Sequence, residues 1–390
     1  MKILIISQYF YPEQMRINDV VRLLTEDGNE VTVLTGLPNY PEGKIYPGYR
    51  FGKSKKQKLF GAEVIRVPLI ARHHSLLFLA ANYISFMITA SLRVLFLKKD
   101  YDAVFVYQLS PVLMACPAVL AKKLKRKKLV LYCLDMWPES FKYGKINESN
   151  PLFKIIAGIS KKIYASCDII CTTSETHKKY MHEVNGIEEK KIELLYQYEI
   201  RNSDVIKKLP KSVYNVTYAG NIGKLQSVET IVKVAELLED ENIFFHIIGS
   251  GSELTKCKKY AESRNLNNIT FYGQLPLNET QAYIKGSDIN LICMKSGSET
   301  DYPFPGKIQT ALMCGTPVIY TSDSEGARFI VKTGCGIRCE AENPDKLAEA
   351  IKTLAGDCDK RALFSKNARE TYEKYFSVNN FKEKLISFLQ

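Results

Sequence analysis

Residues 303–319 read PFPGKIQTALMCGTPVI, and residues 218–230 read YAGNIGKLQSVET. Each couples a glycine-bearing loop and a nearby lysine to a helix-forming run. Loops of this kind aim backbone N–H groups, a helix N-terminus and an ammonium group at one anionic ligand. A diphosphate meets that description, so a nucleotide-linked substrate is the first expectation.

Outward from these two stretches, apolar runs alternate with helical patterns. In the first half, strands are expected at 2–7, 30–35, 63–68, 103–106, 129–133, 169–172 and 192–195, with helices at 18–27, 114–125 and 152–165. The rhythm restarts with strands at 214–219, 243–248, 269–271, 289–293 and 317–320, and helices at 228–238, 252–264, 278–285, 307–313 and 344–354. This alternation predicts an α/β protein of two doubly wound parallel sheets, binding ligand at the strand carboxyl ends. The chain has 390 residues, more than one hydrophobic core usually supports. The polar stretch 198–212 marks the boundary, giving domains 1–198 and 199–374, with a helix at about 375–390 that packs back on the first.

An apolar share of 46% and a charged share of 25% are ordinary for a globular protein. The ten cysteines include no CxxC pair and no clustered histidine, which points to reduced core thiols and not to a metal site or disulfide framework. MKILIISQYFYP lacks the layout of a signal peptide and reads as a buried first strand. The net charge is +12, and residues 1–200 carry 29 Lys+Arg against 19 Asp+Glu, a balance of +10. The excess sits in KSKKQK (53–58) and KKLKRKK (122–128), each either a solvated helix face or loop, or a contact with something anionic. Nucleic acid is the weaker partner, since no RNP, zinc-finger or helix-turn-helix pattern accompanies the lysines. Between these runs, SLLFLAANYISFMITASLRVLFL (75–97) approaches the length of a membrane span, but Asn82, Ser85, Thr89, Ser91 and Arg93 interrupt it. One or two helices are expected there, either buried or offering an apolar face to a membrane interface.

Several of these residues together resemble the glycosyltransferases of GT-B fold, family 4, in their bacterial polysaccharide-assembly branch (capsule, O-antigen, exopolysaccharide). The resemblance is carried by SQYFYPE (7–13), NDVVRLLTEDGNEVTVLTGLPNYPEGKIYPGY (18–49), DMWPES (135–140), NIGKLQSVETI (221–231) and PGKIQTALMCGTPVI (305–319). It implies two Rossmann-like domains facing across a cleft, the C-terminal one holding a sugar nucleotide and the N-terminal one the acceptor. It also implies a metal-independent transfer that retains anomeric configuration. The residues agree with that chemistry. None of the motifs just quoted contains a DxD triplet, so fixed cations and backbone donors are expected to stabilise the departing diphosphate. Gly220 and Gly223 let the backbone approach the ligand, and Lys224 and Lys307 supply charge. Gly306 precedes Lys307 at the helix start.

The sequence also departs from the family pattern. Where the family carries Arg and Lys in the first loop, Asn221 and Gln226 stand here. The glutamate that grips the donor ribose is replaced by Thr310, and the one that contacts the transferred sugar aligns with Tyr302. Glu299 or Asp301 would substitute from the adjacent loop, which fits a donor sugar other than plain glucose. Gly249 belongs to a GSG turn that is either a ligand contact or a plain turn. Gln274 and Leu275 occupy the place of base contact.

In the first domain, Asp135 would polarise the acceptor hydroxyl, stabilise positive charge on the sugar ring, or simply cap the segment that follows. Trp137 either stacks on sugar or lipid or packs in the core. Glu139, Arg16 and Asn18 complete the acceptor-side candidates, with Arg16 facing an acceptor phosphate. The expected protein is a cytoplasmic glycosyltransferase at the inner face of the membrane. It would use a nucleoside diphosphate sugar, UDP foremost, with a polyprenyl-linked or polysaccharide acceptor and no cofactor or metal. A sugar-nucleotide epimerase of like architecture and a non-catalytic basic binding protein are the rival readings, and the scarcity of histidine argues against the first.

Overall fold

The computed structural model describes residues 1–390 with the exception of 53, 74, 141–148, 203 and 296–303. The chain divides into two compact units, Met1–Leu195 with Lys382–Gln390, and Tyr196–Phe381.

The first unit contains β1 (Lys2–Ile6), β2 (Glu30–Gly36), β3 (Lys56–Leu59), β4 (Ala62–Val67), β5 (Ala103–Gln108), β6 (Lys128–Cys133), β7 (Ile169–Thr172) and β8 (Ile192–Leu194). They form one sheet in the order β3-β4-β2-β1-β5-β6-β7-β8, parallel throughout except for the β3–β4 pair. The central strands are unbroken apolar runs because helices cover both faces of the sheet, as parallel pairing requires. Strand order reverses at β1, which lies between β2 and β5, and this places the ligand-accepting crevice at their carboxyl ends.

Segment 75–97 forms a single helix, Leu76–Leu95, started by the Ser75 hydroxyl accepting the Phe78 N–H. Asn82, Phe86, Ala90 and Val94 recur every fourth residue and form its buried face. Within the lysine run 53–58, read as a loop or helix face, Lys56 and Lys58 lie instead on edge strand β3, whose side chains alternate between more and less exposed. Lysine on an edge strand discourages pairing with another chain. The helix expected from Met114 begins at Cys116, where Pro117 fits the first turn, and a short 3-10 turn, Val112–Ala115, precedes it.

The second unit contains β9 (Tyr214–Ala219), β10 (Ile243–Ile248), β11 (Ile269–Gly273), β12 (Ile289–Cys293), β13 (Val318–Thr321) and β14 (Gly336–Cys339) in an all-parallel sheet ordered β11-β10-β9-β12-β13-β14. Its order reverses at β9, between β10 and β12. Every strand expected from the apolar runs is present within two residues of its expected ends, whereas β3 and β14 escaped the pattern. The C-terminal segment consists of helices Cys358–Tyr375 and Val378–Leu389, the latter starting three residues later than expected. Within the first unit, Lys382 Nζ lies 2.7 Å from Asp27 Oδ1.

Candidate functional site

In the second unit the site candidates gather on the loops that follow β9, β10 and β11. Gly220 adopts φ +143°, and a Cβ there would lie 2.3 Å from Lys307 Cε. Glycine suits both this left-handed backbone and the path of the lysine side chain past it. Lys307 stands in the first turn of the Gly306–Cys314 helix and donates to the Tyr218 hydroxyl at 2.6 Å. That hydroxyl donates in turn to the Asn221 carbonyl at 2.5 Å, so one chain of bonds ties the lysine to the loop. Burial lowers the Lys307 ammonium to about 8 and raises the Tyr218 phenol well above its ordinary value. Among the described residues no carboxylate pairs with Lys307. Burying a cation without a counter-charge is costly, and an anionic ligand would relieve that cost. Cys293, at the end of β12, lies nearby, with its thiol pushed up to about 11 by burial.

Gly249 (φ +139°) packs against the first loop so closely that a Cβ would lie 1.8 Å from the Gly220 carbonyl oxygen. The contact is held by Gly220 N–H to Ile248 O (2.9 Å), Ile222 N–H to Ser250 O (2.8 Å) and Gly249 N–H to Gly273 O (2.7 Å). Gly249→Ala is therefore expected to pry the two loops apart. Both nucleotide-induced thermal stabilisation and several degrees of Tm should be lost, as read by differential scanning fluorimetry; an unchanged Tm would refute the contact.

A cavity of about 350 Å³ is lined by Gly220, Asn221, Gly249, Gln274 and Leu275, together with Ser250 and Thr280. The structure thus brings five of the expected donor-side residues around one space. Lys224 and Gly223 line a different cavity of about 400 Å³, with Lys233, Lys256 and Lys295 opposite Glu229, Glu253 and Glu342. Lys224 is therefore not among the residues that line the cavity around Gly220, Gly249 and Gln274. The cause is local: Asn221 Nδ2 donates to Gln226 Oε1 at 3.0 Å, closing the loop on itself, and Lys224 is exposed on the turn between them. The two positions where the resemblance leads one to expect cations hold a neutral amide pair. Thr310 donates its hydroxyl to the Gly306 carbonyl at 3.3 Å. Gly306 itself is exposed and has room for a side chain. Glu299 and Asp301 lie outside the described residues.

In the first unit, the Asp135 carboxylate follows β6 and accepts from the hydroxyls of Ser110 and Ser140. Trp137 donates its indole N–H to Ser110 Oγ at 3.1 Å and is 5% exposed. Of the two readings of Trp137, the structure takes core packing and not stacking on sugar or lipid, because the ring belongs to the hydrophobic core. Glu139 accepts from the Tyr180 hydroxyl at 2.5 Å. Arg16 is half-buried at the start of the Ile17–Glu26 helix. Asn18 is buried and committed to its own loop, accepting the Tyr11 N–H (2.8 Å) and donating to Glu13 O (2.8 Å), so its assignment to the acceptor is corrected.

Sequence reasoning missed Glu13. It is 2% exposed and accepts the backbone N–H groups of Asn39 (2.9 Å), Tyr40 (2.8 Å) and Phe10 (3.1 Å), joining the loops after β1 and β2. Only a polar residue inside an otherwise aromatic loop signalled it.

Comparison with known proteins shows the family and the fold. Residues 14–197 match the family model described as Glycosyltransferase Family 4, and residues 199–371 match that of Glycosyl transferases group 1. The chain is 25% identical over 376 residues to WcaI of Escherichia coli (strain K12), whose name assigns it to colanic acid biosynthesis as a glycosyl transferase; 90% of this chain and 91% of WcaI are covered. Among solved structures, sucrose-phosphate synthase from Thermosynechococcus elongatus is similar at a TM-score of 0.71 and 17% identity, covering 99% and 98% of the two chains. HepE of Anabaena, solved with UDP and glucose, is similar at a TM-score of 0.64 and 14% identity, covering 100% and 99%.

Proposed function

The chain belongs to the glycosyltransferases of group 1 and family 4, and from that premise we propose that it transfers a sugar from a UDP-linked donor to a lipid-linked or polysaccharide acceptor in cell-surface glycan assembly. The observation that carries this reading is the half-buried Lys307 ammonium, unpaired with any carboxylate among the described residues, beside the Gly220 loop at the carboxyl end of β9 where strand order reverses. The bound UDP and glucose of HepE support a nucleotide-sugar donor, and the name of WcaI supports a role in polysaccharide assembly.

In the reaction, the bond from sugar C1 to the β-phosphate oxygen breaks, and the acceptor oxygen forms its bond to C1 on the same face. The acceptor proton passes to the departing phosphate, so configuration is retained. Lys307 and the loop N–H groups stabilise the negative charge that develops on the leaving group, a task that needs no divalent ion. Turnover unaltered by EDTA is the expected result, and metal-dependent turnover would overturn this part of the reading.

Lys307 also makes donor binding dependent on pH. In the free protein the ammonium titrates near 8, so above that pH binding the anion requires taking up a proton. UDP-sugar affinity measured by calorimetry should be flat from pH 6.5 to 7.5 and fall toward tenfold per unit above 8. Lys307→Arg keeps its charge and should abolish that slope. If wild type shows no slope and no nucleotide sugar stabilises the protein thermally, the donor site is misassigned.

A further inference from the structure

The Leu76–Leu95 helix is apolar on two opposite sides, and the fold uses only one of them. Asn82, Phe86, Ala90 and Val94 face the first unit's core. Ala80, Ile84, Ile88 and Leu92, offset from them by about half a turn, face outward and are exposed. Leu76 and Leu77 extend this stripe at one end, 81% and 79% exposed, and Leu95 and Phe96 extend it at the other, 52% and 70% exposed. No acidic residue occurs between 75 and 97. A row of this length is too large to be scattered surface leucines.

Where the stripe ends, a cavity of about 250 Å³ is lined by Lys56, Arg93, Lys98 and Lys99 around Phe96 and Tyr101, with Glu63 the one carboxylate. Lys99 is held by Glu63 at 2.7 Å and Glu30 at 3.2 Å, which leaves Lys56, Arg93 and Lys98 as the cations facing outward.

We propose that this helix lies in the plane of a bilayer, with its outer stripe in the acyl boundary and the cavity at its C-terminal end receiving an anionic lipid headgroup. Two observations select this occupant. Phe86, Ala90 and Val94 belong to the same core as Leu4, Ile6 and Val106, so the helix cannot turn to span a membrane without opening the sheet. The cations beside the stripe, in a half-chain of balance +10, repel a second copy and attract an anionic surface. The inference stands apart from the transfer reaction, because its residues belong to the first unit and those of the donor site to the second.

The test is flotation of the full chain with vesicles of phosphatidylcholine alone or with 30% phosphatidylglycerol. The proposal expects binding to the anionic vesicles only, weakened as salt rises, since each cation near such a surface adds a factor of about five. Ile88→Glu/Leu92→Glu, on the exposed side, should reduce partitioning at least tenfold while UDP-sugar thermal stabilisation stays intact. Arg93→Gln/Lys98→Gln should flatten the salt dependence. Wild type that fails to float, or a stripe variant that floats as well as wild type, overturns the proposal. So does light scattering that shows a wild-type dimer abolished by the stripe variant while flotation is unchanged; the stripe would then belong to a second copy.

Discussion

Replacing Lys307 by Ala is expected to lower kcat/KM for sugar transfer by about 10²–10³, the loss typical of removing one donor aimed at a developing negative charge. The amide pair Asn221–Gln226 occupies the positions where loop cations were expected, and Lys224 does not line the Gly220 cavity, so those loop positions supply no second cation to take over the task. The same substitution should not unfold the protein, and Lys307→Met should stabilise it. The ammonium titrates near 8 in the fold against an ordinary 10.5, so a protonated lysine works against folding at neutral pH. Removing that penalty is worth about 1–3 kcal/mol, allowing for the half-buried stem. The sign follows from proton counting. Between pH 8 and 10.5 the unfolded chain keeps a proton that the fold releases, so wild type gains stability on Lys307→Met as pH rises through that window. Below pH 8 the penalty is full and constant. Nucleotide release and urea denaturation on the same preparations decide the matter. Near-normal turnover, or a Met variant less stable than wild type at pH 7, would sink the assignment.

The sheets were legible because parallel strands buried on both faces read as nearly continuous apolar runs, as at 103–107 and 129–133. Gly220, Asn221, Gly249, Gln274 and Leu275 were legible for a related reason, since they follow directly on strand carboxyl ends. What sequence could not give was side-chain direction inside a loop. Lys224 follows Gly223 as Lys307 follows Gly306, yet the Asn221–Gln226 bond and a left-handed Ser227 (φ 46°) leave one lysine exposed, while a helix start turns the other beneath Gly220. Trp137 and Asn18 sit where ligand-facing residues belong, and both are occupied by the protein's own bonds. The exposed stripe of the Leu76–Leu95 helix was ambiguous for a different reason. Both sides are apolar, so periodicity cannot say which one the core takes.

Glu13→Ala is the second large effect, and it falls on stability. The carboxylate accepts three backbone N–H groups from two loops, and the alanine variant leaves all three buried without an acceptor. An orphaned buried donor costs about 1–3 kcal/mol, so a loss of about 3–6 kcal/mol after relaxation is expected, a large part of a typical domain's stability. Glu13→Gln should fall between the two. Its carbonyl oxygen still serves Asn39 and Tyr40, but its NH₂ meets the Phe10 N–H donor to donor. Burial raises the Glu13 carboxyl above its ordinary value, despite the lowering by its N–H partners. Its contribution is therefore full below the unfolded value near 4.5 and declines as pH rises through the raised one, so the advantage of wild type over Glu13→Gln should shrink from acid toward neutral pH. Urea unfolding of the three proteins at pH 4.5 and 7.5 measures both effects. An alanine variant within about 1 kcal/mol of wild type would mean that the loops after β1 and β2 hold their places without this carboxylate.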